Sequence, residues 1–396
     1  MSSIADRNLP KSKTAWYNDP KLRSIVFQVT LGVIVLSLLF MAVDNAIYNL
    51  QKAKIASGFD FFGSLSGFDI SEHLIDYNNT STYGRAFMVG LLNTVKVSVL
   101  GIFLATILGF TIGIARLSPN WLIAKIATCY VELIRNIPLL LQLLFWYRAV
   151  LKPLPDPRDS INVADAIFLN NRGLVFPAIA FEERAVAIFV ALIVGVVGSI
   201  AYGIFAHRRQ AATGQRAHTV WIALAAIIGL PLIAFFAAGM PASLVYATKT
   251  KFNLAGGLSL SPEFTAILIG LTLYTAAFIA EIVRGGIRGV SKGQSEASRA
   301  LGLSTGDSLR LVIIPQAMRI IIPPLTSQYL NLLKNSSLAV AIGYPELVQI
   351  FMGTVLNQTN RAIECVTITM LVYLAFSLVI ASGMNWYNRR VALVER

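Results

Sequence analysis

The residues with chemical capacity in this chain are few and scattered. It has no GxxxxGK[ST] phosphate loop, no nucleophile elbow and no paired-carboxylate site outside its apolar segments. Any nucleotide the protein uses must therefore be bound by another chain. His73, His207 and His218 lie in loops without a second ligand at a metal spacing, so no metal site is expected. Cys129 and Cys365 both fall in apolar segments, which argues against a disulfide framework and marks them as small packing residues. What remains is a set of charges and amides inside long apolar runs, where an unpaired charge costs on the order of 3 kcal/mol. Glu132 and Arg135 are three apart and can pair on one helix face. Alternatively, Arg135 supports a helix break near Pro138 or faces a polar path. Pro138 frees backbone carbonyls, which is tolerated only beside protein or a cavity. Asn331, Lys334, Asn335, Ser336 and Ser337 form the densest polar cluster, and positions 331, 334, 335 and 338 trace one helical stripe. Such a stripe complements the carboxylate or ammonium of a zwitterion. The other reading is interhelical bonding, with Lys334 satisfied by Glu281 or another carboxylate. Asn93, Lys96 and Gln142 are further candidates for the same path, and Lys96 sits deep enough in its run to need a partner that the sequence does not name.

The elements carrying these residues are set by composition. Of 396 residues, 56% are apolar and 13% charged, with mean hydropathy +0.66, against about 25% charged in soluble domains. Windows of about 20 apolar residues recur along the chain. The expected fold is an all-α polytopic membrane protein with eight spans, at about 25–43, 86–115, 125–149, 184–206, 219–239, 264–283, 320–342 and 362–386. An even number places both termini on one side. Nineteen Lys and Arg fall in the tail, the C-terminus and the loops on that side, against eleven opposite, span edges included. The positive-inside rule makes the first set cytoplasmic. The net charge of +13 is dispersed over short loops, which suits orientation in a bilayer and not nucleic-acid binding. The tail carries Lys11, Lys13, Lys21 and Arg23, with no small-residue cleavage pattern after the first span, so that span is expected to be retained. The polar segments at about 44–85 and 150–183 then face outward. The first repeats SGFD among Phe61, Phe62 and Phe68, consistent with a short interfacial helix or an ordinary covered loop.

Ser291–Gln316 is a charged interruption on the cytoplasmic side. Gln294–Leu301 is built of helix formers, Gly302 supplies a left-handed stop, and Ser304 with Asp307 resembles a capping box opening a second helix, Thr305–Ile314, before a break at Pro315. A preformed helix–turn–helix knob presents a rigid surface at little ordering cost, which suits a docking partner. A plain hairpin is the alternative.

The residues themselves favour docking. Glu296-Ala297-Ser298, Gly302 and Val312-x-Ile314-Pro315 resemble the EAA loop of ABC importer permeases, with matching spacing throughout. Asn93-Thr94, then Tyr130, Glu132, Arg135, Pro138 and Gln142, then Glu281-Ile282-x-Arg284-Gly285-Gly286-Ile287 and Lys334-Asn335-Ser336-Ser337-Leu338 resemble segments of its polar amino-acid branch. The resemblance covers roughly 86–149 and 264–386. Helices one, four and five are additions to a five-helix core, as in the longer general L-amino-acid permeases of Gram-negative bacteria.

The resemblance implies a four-part division: a cytoplasmic tail (1–24), an extra helix with a periplasmic loop (25–85), a permease domain (86–386, with the EAA loop at about 284–319) and a cytoplasmic C-terminus (387–396). It also implies an inner-membrane subunit importing amino acids, with no catalysis and no cofactor of its own. ATP and Mg would be bound by two copies of a partner ATPase docking on Glu296, Ala297, Ser298, Arg299, Gly302 and Pro315. A second permease, expected to be a sister chain, and a periplasmic binding protein would complete the assembly. An ion-coupled secondary transporter is the competing class, but repeated halves and paired broken helices are missing. A membrane enzyme would need His, Asp or Cys gathered at one depth.

Overall fold

The computed structural model describes residues 20–52, 58–214, 218–250 and 254–391. Most of the expected N-terminal tail and the final five residues lie outside them. Seven helices among the described residues are long and apolar enough to span a membrane, or eight when one bent pair counts as a span. α1 (Pro20–Lys52) is exposed along nearly its whole described length. α2 (Tyr83–Ala115) starts at Thr82, whose side chain accepts the Arg85 amide. The span expected at 125–149 is not straight. It is α3 (Trp121–Asn136) followed by α4 (Leu139–Leu144), which widens into a π-helical turn reaching Leu151, and the two meet at 105°. The cause is local: Ile137 precedes Pro138 and is driven to an extended φ of −102° and ψ of 127°.

α5 (Val186–Thr213) folds back on α6 (Thr219–Leu224) and α7 (Leu230–Ala237), with Gly195 of α5 against the Ala226 carbonyl. Then come α8 (Pro262–Arg288), α9 (Lys292–Ala300), α10 (Thr305–Ser308), α11 (Ile314–Asn335), α12 (Leu356–Thr359) and α13 (Ala362–Val391). The break expected at Pro315 is absent. A π-helical turn, Leu309–Ile313, precedes it and carries α10 into α11, just as Ala225–Gly229 precedes Pro231 between α6 and α7. A wide turn moves the i−4 carbonyl away from the proline ring, so the helix continues.

Short strands in the loops at one end add to the helical bundle. β1 (Ile161–Val163), β2 (Ile167–Asn170) and β3 (Gly173–Phe176) form an antiparallel ribbon, followed by β4 (Ala178–Phe181). After α7 come β5 (Ala242–Val245), β6 (Thr248–Lys249), β7 (Leu254–Ala255) and β8 (Leu258–Leu260). β8 pairs with β3, and β5 with β4, which joins two loops far apart in sequence at one end of the bundle. The chain leaves the core at Lys152 and returns at Glu263, and these two form an ion pair of 3.7 Å. Tyr147 donates to the same Glu263 carboxylate at 2.7 Å.

The core is organised on one seam. α2 and α8 run parallel, with Lys96 over the Phe264 ring near one end and Gly113 against Val283 near the other. Gly101, Ala105, Gly109 and Gly113 repeat every four residues on α2 and are all buried. A Cβ on Gly109 would lie 2.6 Å from Ile279, and one on Gly113 2.8 Å from the Ala280 carbonyl. Small residues at this spacing let two backbones approach as side chains would not. Cys365 packs in the core as expected, but Cys129 is exposed on α3 and does not.

Gly109→Leu should therefore overpack the seam by about 1–3 kcal/mol, lowering the unfolding temperature of the detergent-solubilised protein. Gly203→Leu on α5, where a Cβ meets nothing within 4 Å, should leave it unchanged.

Candidate functional site

The interruption after α8 folds into a helix pair whose geometry comes from local sequence. α9 stops at Ala300, two residues before Gly302 with its φ of +76°, and Ser304 caps α10 by accepting the Asp307 amide at 3.1 Å while donating to its carboxylate at 2.7 Å. Glu296, Ala297 and Arg299 are exposed on the outer face. Leu301, which the sequence reading passed over, is 80% exposed at the turn and is the most exposed large apolar side chain among the described residues. Ser298 differs from its expected place on the docking face. It is buried, donates to the Ser295 carbonyl at 2.9 Å and meets Ser308 Oγ at 2.5 Å, so it clasps the two helices together. Pro315 lies inside continuous helix, well past the turn.

Glu132 and Arg135 do not pair with each other. Both join a cluster centred on Glu281, which accepts from Arg116 at the end of α2 and from Arg284 one turn along α8. Arg135 lies 3.9 Å from Glu281 and stacks over Phe278, while Glu132 pairs with Arg116 at 3.7 Å. Spacing alone offered the intrahelical pair. The end of α2 and the neighbouring α8 supplied better-buried partners.

Gln142 likewise does not line a path. It is 5% exposed, and its amide donates to the Ile134 and Ile137 carbonyls at 2.9 Å each, two of the acceptors near the Pro138 break. Asn136 donates to the Glu132 carbonyl at 2.7 Å. The freed backbone is thus satisfied by side chains.

The polar stripe on α11 behaves differently. Asn331 and Lys334 are exposed, Asn335 is half-buried and Ser336 is buried, bonding the Leu333 carbonyl at 2.6 Å. Glu281 is held by arginines, so it is not the partner of Lys334, which has no ion pair among the described residues. Lys334 instead borders an open cavity of about 350 Å³ with Ser337, Val348, Thr369, Met370 and Tyr373. Behind its wall, Tyr373 donates to Glu346 at 2.9 Å. Glu346 is fully buried and caps the turn of helix after it by accepting the Val348 and Gln349 amides at 2.9 and 2.8 Å. Sequence reasoning missed Tyr373 and Glu346, since a single Tyr in a span and a single Glu in a loop carry no spacing signal.

Asn93 is fully buried and donates to the backbone carbonyls of Glu72 and Pro345, at 2.8 and 2.9 Å. It is a clasp, not part of a lining. Lys96 finds the partner that the sequence could not name, Glu72, at 2.5 Å. At the same end Arg361 binds Asp60 at 3.1 Å. Backbone hydrogen bonding first, then Arg361, hold the exposed Asp60 carboxyl below its ordinary pKa. Burial raises that of the Tyr77 hydroxyl, which meets Ser66 at 2.7 Å. The short interfacial helix considered for this loop is a single 3-10 turn, Asp60–Gly63.

Apolar spans packed on a small-residue seam with ion-paired ends, with a preformed knob beside one end, define a polytopic membrane protein. Residues 97–393 match the family described as binding-protein-dependent transport system inner membrane component, and the chain belongs to that family. It is 53% identical over 384 residues to the general L-amino acid transport system permease protein AapQ of Rhizobium johnstonii, covering 97% of this chain and 96% of that one. Similarity is nearly as high to the putative amino-acid ABC transporter permease protein YhdX of Escherichia coli, at 50% over 380 residues, covering 96% and 97%. The glutamate/glutamine/aspartate/asparagine transport system permease protein BztB of Rhodobacter capsulatus is 43% identical over 409 residues, covering 96% of each.

Gln142→Leu should orphan the Ile134 and Ile137 carbonyls at a cost of about 1–3 kcal/mol, read as a lowered unfolding temperature. Gln142→Glu, which keeps the shape but replaces the donor amide, should lower it as well.

Proposed function

We propose that this chain is one permease subunit of an ATP-driven importer carrying L-amino acids from the periplasm to the cytoplasm across a bacterial inner membrane. The observation that carries the reading is the knob from α9 to α10. A serine clasp and a left-handed Gly302 hold two helices rigid, while Glu296, Arg299 and the uncovered Leu301 point outward. An apolar tip ringed by charge suits a groove on a partner protein.

That partner is an ATPase, present in two copies, which binds ATP and Mg. Nucleotide on it biases the permease between two packings. A second permease, a sister chain, closes the pathway, and a periplasmic binding protein delivers the cargo. Both termini and the knob face the cytoplasm, in line with the excess of Lys and Arg on that side. Among the described residues Lys334 has no carboxylate partner, and it faces a cavity whose wall includes Val348 and Met370. A free ammonium there receives the carboxylate of an amino acid and leaves its side chain against apolar residues.

Arg299→Cys should crosslink to the ATPase in a nucleotide-dependent way. Gly302→Asp places a side chain in left-handed backbone at the turn, and ATP-dependent uptake should drop about tenfold or more while the protein remains inserted. Lys334→Met should raise the half-saturating concentration for uptake by about tenfold, as expected for losing a charged hydrogen bond. Uptake that follows a proton or sodium gradient, with no ATPase captured at position 299, would establish the secondary transporter instead.

A further inference from the structure

α3 carries three stripes along its length. Val131 and Ile134 pack with Ala277 and Ala280 of α8, and Ala127 is buried on the same side. Lys125, Glu132 and Asn136 form a second, exposed and polar stripe. Leu122, Ile126 and Leu133, spaced by four and seven residues, form a third that is apolar and exposed as well.

The order of contacts fixes how α3 lies. A helix climbing beside α8 away from the knob would meet residues ever farther from the knob as its own numbers rise. α3 does the reverse. Tyr130 donates to the Leu273 carbonyl at 2.7 Å, whereas Arg135, five residues later, lies 3.9 Å from Glu281 on the knob side. These two points on α8 are eight residues, about 12 Å, apart. Tyr130 and Arg135 leave α3 on different sides, so the helix lies across α8. The upright direction is taken only after the 105° bend, where Leu143 meets Gly270 and Tyr147 meets Glu263.

Depth follows from the seam. Lys96 and Arg116 of α2 are twenty residues apart, as are Ser261 and Glu281 along α8. Twenty helical residues rise about 30 Å, the thickness of the hydrocarbon layer. The charged ends of the seam therefore mark the two boundaries with water. α3 crosses α8 between Leu273 and Glu281, just inside the boundary nearer the knob. Its polar stripe lies toward the Arg135 side, facing the knob, and its apolar stripe toward the Tyr130 side, facing the middle of the bilayer.

We propose that α3 is an in-plane helix in the leaflet nearer the knob, with Leu122, Ile126 and Leu133 set between acyl chains and Lys125 and Glu132 at the headgroups. Lipid is the occupant because the apolar surface runs on through Ile137 into Leu141 and Phe145, exposed side chains of the segment that does cross. Trp121, exposed at the start of α3, has the amphipathic ring that suits headgroup level. A helix with one charged and one apolar face is the form that lies in this layer. Glu132 and Arg135 tie it to Arg116 and Glu281, so the lipid surface bears on the end of the seam that leads into the knob.

The placement is tested by depth. Leu122→Cys, Ile126→Cys, Leu133→Cys and Lys125→Cys, each in a Cys129→Ser background with Cys365 buried in the core, are nitroxide-labelled in the full-length protein. The protein is reconstituted in liposomes with any subunits that co-purify, and collisions with oxygen and with a water-soluble nickel chelate are measured. Val197→Cys on α5, exposed in the middle of a span, calibrates the deep end. Positions 122, 126 and 133 should favour oxygen at one shared, shallow depth, and position 125 should favour nickel. Native Cys129, exposed beside the apolar stripe, should report the same shallow depth when labelled in the otherwise unaltered chain. An upright span would instead deepen by about 16 Å from position 122 to 133, and that gradient would overturn the proposal. Immobile labels at 126 and 133 that neither reagent reaches would overturn it too, by showing a protein surface over the stripe.

Discussion

The backbone contact between α2 and α8 is the constraint on which the rest depends. Two apolar helices in a bilayer gain nothing from hiding oil from oil, so their association must come from close packing. Gly109 and Gly113 provide it by letting α8 lie against the α2 backbone, while Gly101 on the same stripe admits Leu332 of α11. Once these two parallel helices are fixed, α11 packs against α8, and α13 against α11, and the bent α3–α4 unit is wrapped onto α8 from outside. The same seam explains why charges collect at its two ends. Lys96 and Ser261 meet Glu72 at one end, and Arg116 and Glu281 meet at the other, while the middle is built from small and aliphatic residues.

Each end of the seam binds something that is not part of it. The end near Glu281 lies on α8 just before the knob, through which a partner would act. The end near Glu72 holds the segment before α2. A rigid middle with ion-paired ends transmits a force applied at one end more faithfully than a soft core would, because close-packed interiors yield in discrete steps. The buried Glu346 and Tyr373 lie beside this frame and bring a polar wall up to Lys334 without exposing a carboxylate to compete for it.

Much of this was legible in the sequence, and the boundary follows the range of the interactions. The knob was readable because Gly302, Ser304 and Asp307 act within a few residues of one another. The spans were readable because hydropathy is summed over a window. Lys96 could be flagged as needing a partner, yet Glu72 is 24 residues away in a polar loop. Gln142 was noticed for its polarity, but its use depends on how far Pro138 bends the chain. The proline rule itself misled at Pro315, where the preceding π-helical turn absorbs the ring, and held at Pro138, where Ile137 goes extended. The strands escaped notice because none exceeds four residues and each is paired by a partner that the apolar periodicity does not reveal.

The ion pair between Lys152 and Glu263 has an architectural consequence. Everything between those residues, the short sheets together with the α5–α7 hairpin, departs from and returns to a single point on the core, and the hairpin packs chiefly on itself. The α5–α7 hairpin is the graft-like part of it, whereas β3 packs on α8 and Ser261 meets Glu72 at the seam. Lineages could therefore diversify the hairpin while inheriting the seam and the knob unchanged.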